Sequence, residues 1–196
     1  LNENAQLFLS ADQTNGLEIN ADDDIANEYL SGTLNLIFGV DQSGRLVVDK
    51  SATTADGFDR INIVAQVDQD TPFQLVSSPQ TKVTLSGTNN FTVGASTAEE
   101  FDASGLTGDS TGLSGVLTAS QTANLLKIYG GSGNDDLSSA NTSASAVVTG
   151  GPGNDSFTIS ANYAGSADGG SGTDTLNISS AVDLSSATLT NFEFID

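Results

Sequence analysis

Hydrophobic and polar residues alternate along the first half of the chain, in the pattern of half-buried β-strands. Residues 60–67 read RINIVAQV, which places every second side chain on one apolar face, and residues 83–85 and 91–95 alternate in the same way. Strand candidates recur about every 8–12 residues, a spacing typical of sandwiches, barrels and β-solenoids. We therefore predict that residues 1–95 form a mainly β segment, to which the pattern assigns no particular fold.

Two local patterns in this half predict connections between elements. Residues 41–44 read DQSG between the apolar runs LNLIFGV and RLVVDK, so they predict the turn of a β-hairpin. Residues 22–30 are acidic and predict a helical turn with the aspartates near its N-terminal end, and a solvated loop is the alternative.

A nine-residue sequence recurs three times in the second half of the chain. It reads GGSGNDDLS at 130–138, GGPGNDSFT at 150–158 and GGSGTDTLN at 169–177. When the repeats are aligned, mostly apolar columns hold Ile128, Val148 and Ala167; Leu137, Phe157 and Leu176; and Ser139, Ile159 and Ile178. Columns that persist at a period of 19–20 residues indicate a coil whose turns stack around a narrow core. We therefore predict an all-β chain in which a parallel β-roll, or β-solenoid, domain at 96–196 follows the β segment at 1–95.

The fixed letters of the repeat point to a hard cation. The pattern G-G-x-G-x-D-x-U-x, with U a large apolar residue, is that of calcium-binding turns in parallel β-solenoids. Glycine allows a sharp corner whose carbonyl oxygens aim at one point, and the aspartate adds negative charge. Converging oxygens repel one another unless a cation lies between them, and Ca²⁺ accepts about 6–8 oxygens.

One loop supplies only half of such a shell, so the loop one coil further along must supply the rest. Three stacked loops predict two Ca²⁺ sites, one between 130–135 and 150–155 and one between 150–155 and 169–174, with Asp135, Asp155 and Asp174 as the carboxylates. The predicted metal-binding residues are Gly130, Gly131, Ser132, Gly133, Asn134, Asp135, Gly150, Gly151, Pro152, Gly153, Asn154, Asp155, Gly169, Gly170, Gly172, Thr173 and Asp174. Asp136 and Asp168 are neighbours without an assigned role, and we expect Asp102, Asp109 and Asp183 to be solvated.

Charge and composition narrow the classes of function. Acidic residues outnumber basic ones 25 to 5, for a formal charge of −20, which argues against binding to nucleic acid or anionic lipid. The absence of His and Cys excludes histidine-dependent catalysis and thiolate metal sites within this chain, so we predict no enzyme activity. No apolar run approaches the roughly 20 residues that span a bilayer, so we predict no membrane insertion.

The repeats resemble the RTX, or haemolysin-type, calcium-binding repeat family. Two flanking segments, FDASGLTG at 101–108 and LTNFEFI at 189–195, together with residues 169–186, resemble RTX-containing bacterial surface-layer proteins. This chain departs from the family pattern because only one corner of each coil carries the motif, which implies ions along one edge. The chain opens at Leu1 without Met, so we expect it to be a segment or processed form of a longer protein.

The resemblance implies a secreted, extracellular protein exported by a type I system. It implies a structural subunit of a cell-surface layer or coat, which folds and assembles with copies of itself into a lattice or filament when Ca²⁺ binds. A cell-surface glycan is the further partner that it implies. An adhesin or extracellular matrix protein is the first alternative, and a non-catalytic module of a type I secreted hydrolase is the second.

Overall fold

The structure is a computed structural model of the 196-residue chain. It describes residues 6–13, 17–19, 33–48, 58–77, 81–108, 115, 117–121, 127–179 and 181–196. The segment 22–30 and Asp109 lie outside the described residues, so the helical turn and the solvated aspartate expected there stay predictions.

The described strands alternate between two parallel sheets of nine strands each. The odd sheet holds, in spatial order, β1 (Gln6–Leu9), β3 (Thr33–Phe38), β5 (Arg60–Ala65), β7 (Lys82–Gly87), β9 (Glu100–Leu106), β11 (Lys127–Tyr129), β13 (Val147–Pro152), β15 (Ser166–Ser171) and β17 (Thr188–Thr190). The even sheet holds, in the same direction, β2 (Leu17–Ile19), β4 (Arg45–Val48), β6 (Gln69–Val76), β8 (Phe91–Ser96), β10 (Leu117–Gln121), β12 (Asp136–Ser139), β14 (Ser156–Ile159), β16 (Thr175–Ile178) and β18 (Phe194–Ile195).

Each coil of the chain therefore contributes one strand to each sheet, and each strand pairs with strands one coil before and one coil after it. Such parallel stacking is consistent with a β-solenoid or β-roll, and the predicted all-β class is confirmed. The described part of the chain contains no helix, and hence none that is long and apolar enough to cross a membrane.

The hairpin predicted at residues 41–44 is wrong. The strand before it, β3, pairs with β1 and β5 in the odd sheet, whereas the strand after it, β4, pairs with β2 and β6 in the even sheet. Both strands bury every second side chain, so a corner that places their apolar faces on opposite sides of one core buries both. Turn-forming residues are common to hairpins and to such corners, which is why the local sequence did not separate them.

The columns predicted from the repeats are confirmed. Val148 pairs in register with Ile128 and Ala167, and Phe157 pairs with Leu137 and Leu176. The column of Ser139, Ile159 and Ile178 is also in register. Side chains of one column thus stack directly over each other along the narrow core.

The core of the N-terminal coils contains a group of aromatic side chains. Phe38, Phe73 and Phe91 form a buried aromatic cluster there, with ring centroids 5.6–6.4 Å apart. Edge-to-face aromatic packing of this kind adds to the gain from burial itself. Both sheets continue across residues 95 and 96, since β6 pairs with β8 and β8 with β10 in the even sheet, and β7 pairs with β9 in the odd sheet. The division into segments 1–95 and 96–196 stays a prediction drawn from composition.

Truncation of the aromatic cluster should destabilise the N-terminal coils. Because Phe73 is 1% exposed, Phe73→Ala should lower the free energy of unfolding by about 3–5 kcal/mol, measured by urea denaturation. Val64→Ala is the matched control, since Val64 is 38% exposed and its loss should cost less than about 1 kcal/mol. Equal losses in the two variants would contradict the assignment of the core.

Candidate metal centre

One corner of every coil carries the residues of interest. We call it the ladder corner, defined as the connection from an odd-numbered strand to the even-numbered strand that follows. In the C-terminal coils it includes the predicted loops 130–135, 150–155 and 169–174, and a shorter connection at 191–193. The three loops that the sequence singled out therefore lie over one another on the same side of the stack.

The aspartates of the three loops form a hydrogen-bonded ladder in the interior. Asp135, Asp155 and Asp174 are all buried, at most 4% exposed. The backbone N–H of Asp135 donates to Oδ1 of Asp155 at 2.8 Å, and that of Asp155 donates to Oδ1 of Asp174 at 2.7 Å. The N–H of Asp174 donates to Oε2 of Glu193 at 2.7 Å, so that glutamate completes the ladder on the next coil.

The second oxygen of two of these carboxylates has no partner. Oδ2 of Asp155 and Oδ2 of Asp174 are buried and accept no hydrogen bond. Oδ2 of Asp135 differs, because it accepts the N–H of Gly131 at 2.7 Å. An ionised oxygen that is buried without a partner is costly, so a proton or a cation is needed beside each orphaned oxygen.

Glycines allow the coils to approach each other closely beside the orphaned oxygens. A Cβ on Gly150 would collide with Oδ2 of Asp155 and with the carbonyl oxygen of Gly169. A Cβ on Gly169 would collide with the carbonyl oxygen of Asn191 and would lie 2.8 Å from Oδ2 of Asp174. In each case a carboxylate oxygen and a carbonyl oxygen of the next coil flank the same glycine Cα. Two partly or fully negative oxygens beside the same glycine are surroundings that a cation stabilises.

The three loops do not share one backbone shape, contrary to what their common sequence suggests. Gly151 and Gly153 have φ of +113° and +141°, and Gly170 and Gly172 have φ of +104° and +142°. The glycines of the first loop, 130–135, are not in this positive-φ region. The N–H of Gly131 turns to the carboxylate of its own loop there, and no matching nonapeptide precedes that loop in the stack.

In the N-terminal coils, buried glutamine side chains take the place of the aspartates and link one coil to the next. At the ladder corner, the N–H of Gln42 donates to Oε1 of Gln69 at 3.0 Å, and that of Gln13 donates to Oε1 of Gln42 at 3.2 Å. These bonds run in the same direction as those of the aspartate ladder, from the earlier coil to the later side chain. The remaining atom of Gln69, Nε2, donates to the carbonyl oxygens of Val40 and Val67 at 3.3 and 3.0 Å.

Apart from the extra methylene group of glutamine, the two ladders differ in the second polar atom of the buried side chain. In the glutamine ladder that atom is an NH₂ group, which donates to carbonyl oxygens. In the aspartate ladder it is a carboxylate oxygen, which cannot donate when it is ionised. We call each buried side chain of a ladder, with its hydrogen bonds, a rung. The glutamine rung at Gln69 has all its polar atoms bonded within the protein, whereas the rungs at Asp155 and Asp174 each lack a positive group beside one carboxylate oxygen.

Burial changes the protonation of the orphaned carboxylates. Desolvation raises the pKa of Asp155 to about 6, and the charge of Asp174 adds to the rise, while the hydrogen bond from the Asp135 backbone opposes it. Burial also raises the pKa of Asp174, helped by the charges of Glu193 and Asp168 and opposed by the backbone hydrogen bond from Asp155. Without a bound cation, part of the negative charge would be removed by protonation instead.

The other predicted positions take outer or local roles. Oδ1 of Asn134 accepts the N–H of Asn154, and Oδ1 of Asn154 accepts the N–H of Thr173, at 2.8 and 2.9 Å, which forms a second ladder on the outside of the corner. Ser132 is half-buried and Pro152 is exposed.

The aspartates without an assigned metal role are used locally. Asp136 is exposed, and Oδ1 of Asp102 accepts bonds from Ser104 two residues on. Oδ1 of Asp183 accepts the N–H of Ser185 in the same way. Asp183 is exposed, as expected of a solvated residue, whereas Asp102 is half-buried within β9.

Sequence reasoning missed two parts of the ladder corner. Glu193 follows Asp174 by 19 residues, which is the period of the repeats, but no glycine pair marks it. The glutamine ladder has no motif either, because Gln13, Gln42 and Gln69 stand at spacings of 29 and 27 residues among unrelated neighbours. Only the shared register of the coils brings these residues to one corner.

The residues present fit a hard cation with oxygen ligands. Within the described residues no three carboxylates gather into one cluster, so most of the ligands would be backbone carbonyl oxygens. Ca²⁺ accepts carbonyl and carboxylate oxygens together and tolerates irregular geometry. Asp155 and the carbonyl oxygen of Gly169 would hold one such ion. The ion would supply the positive charge that the glutamine side chains do not need.

Comparison with protein-family models, with curated proteins and with solved structures finds no match to this chain. The class of protein is therefore defined by its own architecture, a parallel two-sheet β coil whose ladder corner changes from amides to carboxylates.

The raised pKa of Asp155 predicts a pH dependence in the metal-free protein. The folded chain holds this proton more tightly than the unfolded chain, whose aspartates titrate near 3.8. The stabilisation is therefore fully present below about pH 4 and is lost as the pH rises through about 6. We expect the melting temperature in EGTA to fall over this range, and to fall less in Asp155→Asn. An identical pH profile in the two proteins would contradict the orphaned-oxygen description.

A single change should convert a glutamine rung into an incomplete one. Gln69→Glu replaces the NH₂ donor of a fully buried side chain with an oxygen that faces two carbonyls, which should cost about 3 kcal/mol or more at pH 7. Part of the loss should return at pH 4, where the carboxyl group can donate. Urea denaturation of Gln74→Glu is the control, because Gln74 is exposed on the same strand. Equal stability of the two variants would show that the amide donor is dispensable.

Proposed function

We propose that this chain is a structural subunit of a secreted, calcium-dependent bacterial surface layer or extracellular coat, which folds and assembles when Ca²⁺ binds. The observation that carries the proposal is the pair of buried carboxylate oxygens without partners, on Asp155 and Asp174, each beside a carbonyl oxygen of the next coil. The glutamine rungs of the same corner show no such need, which supports a ligand-dependent C-terminal half.

The charge of the C-terminal coils supports an ion from solution as the missing partner. Residues 128–196 contain eight acidic residues and no Lys, Arg or His, so no side chain of this region can supply a positive charge. An ion that binds only the folded coils stabilises them by an amount that grows with its concentration. Ca²⁺ is scarce in the cytosol and abundant outside the cell, so the chain would be exported unfolded and would fold after secretion.

The fold supports an assembly role over a catalytic one. Outward side chains repeat in register along the sheets, as with Asn35 and Asn62 on the odd sheet, where the amide of Asn62 donates to Oδ1 of Asn35 at 2.9 Å. A chain with a formal charge of −20 repels copies of itself, so Ca²⁺ would also reduce the repulsion between neighbouring subunits. We propose copies of this chain as the principal partner, a cell-surface glycan as the further partner and no catalytic activity.

A rigid spacer in an adhesin or matrix protein is the second candidate. Nine stacked coils at about 4.8 Å per strand give a stack of roughly 40 Å in the described chain. A stiff stack of this length suits the stalk of an adhesin as well as the subunit of a lattice. The two differ in whether the calcium-loaded protein assembles or stays monodisperse.

Calcium titration of EGTA-treated protein tests the proposal. We expect β-sheet circular dichroism and the melting temperature to rise with Ca²⁺, and to change little with Mg²⁺ at the same concentration, because Mg²⁺ demands a tighter octahedral shell. Asp155→Asn should reduce the calcium dependence, and Asp136→Asn is the matched control because Asp136 is exposed next to the first loop's aspartate. An unchanged spectrum and melting temperature with Ca²⁺ would refute calcium-dependent folding.

Electron microscopy of the same samples tests the coat. Ordered sheets or filaments that form only with Ca²⁺ would support it. Calcium-folded protein that stays monodisperse and binds cells or glycans would favour the adhesin instead.

A further inference from the structure

We propose a further Ca²⁺ site at the last coil interface, between the loop 169–174 and residues 191–193, where the nonapeptide pattern predicts none. The inference rests on the proposed calcium-dependent function and deepens it. Its ligands from this chain are Oδ2 of Asp174 and the carbonyl oxygen of Asn191.

The last interface repeats the geometry of the one before it. Beside Gly150 lie Oδ2 of Asp155 and the carbonyl oxygen of the residue that begins the next loop, Gly169. Beside Gly169 lie Oδ2 of Asp174 and the carbonyl oxygen of Asn191. Asp174 is fully buried and its Oδ2 has no hydrogen-bond partner, as with Asp155. If a positive group neutralises Oδ2 of Asp155, a second positive group is therefore needed beside Oδ2 of Asp174.

A shorter connection at the last coil reproduces the role of a nonapeptide loop. Asp168 pairs with Thr190 and Thr175 pairs with Phe194, so the six residues 169–174 stand against the three residues 191–193. Asn191 has φ of +56°, a left-handed conformation that Asn tolerates better than most residues, and it turns its carbonyl towards the corner. This is the place that a glycine takes in the coils before.

Glu193 replaces the aspartate that a fourth nonapeptide would contribute. Its Oε2 accepts the N–H of Asp174 at 2.7 Å, as Asp174 does for the N–H of Asp155 one coil earlier. The extra methylene lets the side chain reach across the shorter connection. The rung is thereby completed without the glycine-rich sequence that would have revealed it.

The surrounding charge favours a cation at this interface. Oδ1 of Asp168 accepts a hydrogen bond from Nδ2 of Asn191 at 2.7 Å, which holds the Asn191 side chain beside the site. The same oxygen accepts the N–H of Gly170 at 3.1 Å. Asp168 and Glu193 are both near enough for their charges to act on Asp174. We assign them no ligand role, because their contribution is negative potential.

The first interface lacks this need. Between the loops 130–135 and 150–155, the corresponding oxygen is Oδ2 of Asp135, which the N–H of Gly131 already satisfies. The orphaned oxygens thus lie at the second and third interfaces of the ladder. The C-terminal interface has the stronger physical requirement for an ion, although the sequence motif marks the first one.

Native mass spectrometry, which counts the Ca²⁺ ions bound to each molecule, tests the site. Asp174→Asn should bind one ion fewer than the wild type, because the new amide can donate to the Asn191 carbonyl as Gln69 donates to its carbonyls. Asp136→Asn should retain the full number. If Asp174→Asn binds as many ions as the wild type, the site does not exist. If the wild type folds without binding any Ca²⁺, the proposed function itself fails.

Glu193→Gln tests the same site without altering a buried residue. Glu193 is exposed, and the amide oxygen can still accept the N–H of Asp174, so folding should be preserved. Removal of one negative charge near the ion should raise the dissociation constant of one Ca²⁺ site by about tenfold, measured by calorimetric titration. The number of ions bound should stay unchanged. The control, Asp183→Asn, removes an exposed charge elsewhere in these coils and should leave every affinity unchanged. Unchanged affinities in Glu193→Gln would overturn the assignment.

Discussion

A stack of parallel coils depends on how its buried corners satisfy the polar groups that each turn brings inside. At the ladder corner of this protein, one atom of a buried side chain accepts an N–H from the coil before, and this bond sets the register of the two coils. The second polar atom of the same side chain then faces carbonyl oxygens. Whether that atom can donate a hydrogen bond decides whether the corner is complete within the protein or needs a positive group from outside.

The change from amide to carboxylate side chains makes the N-terminal and C-terminal coils differ in stability, although the two sheets run through both. In repeat architectures each coil contacts only its neighbours, so stability is close to a sum of local terms. The N-terminal coils combine the cluster of Phe38, Phe73 and Phe91 with amide rungs, whose NH₂ groups donate to carbonyl oxygens. The C-terminal coils place small residues such as Ala167 and Ser139 in the core columns and charged rungs at the corner. The energetic cost of buried oxygens without partners therefore falls on the C-terminal coils, whose strands extend the two sheets of the N-terminal ones.

Much of the C-terminal half follows from the sequence because its signals are periodic. The column of Leu137, Phe157 and Leu176 could be aligned from the glycines alone, and the structure stacks those residues as expected. The same reasoning failed at residues 41–44, where the turn chemistry is local but the choice between hairpin and corner depends on which strand lies beside which. It also missed Glu193 and the glutamine ladder, because a rung is defined by its place in the stack and not by its neighbours in the chain. Buried oxygens without partners are a property of three-dimensional packing, and no sequence motif distinguishes Asp135 from Asp155 and Asp174 in this respect.

At the opposite corner of the coils, polar side chains accept hydrogen bonds from backbone N–H groups. There Oδ1 of Asn141 accepts the N–H of Ser143, and Oδ1 of Asn162 accepts the N–H of Asp183, both at 2.8 Å. Hydrogen bonds from Ser185 lower the pKa of Asp183, so this exposed carboxylate is stabilised in its charged form by the backbone and by solvent. In the described part of the chain, the buried side-chain atoms without partners all belong to the ladder corner. The two edges of the stack therefore differ in chemistry, because carboxylate oxygens without partners are buried at one edge, whereas side-chain oxygens at the other edge accept hydrogen bonds from the backbone.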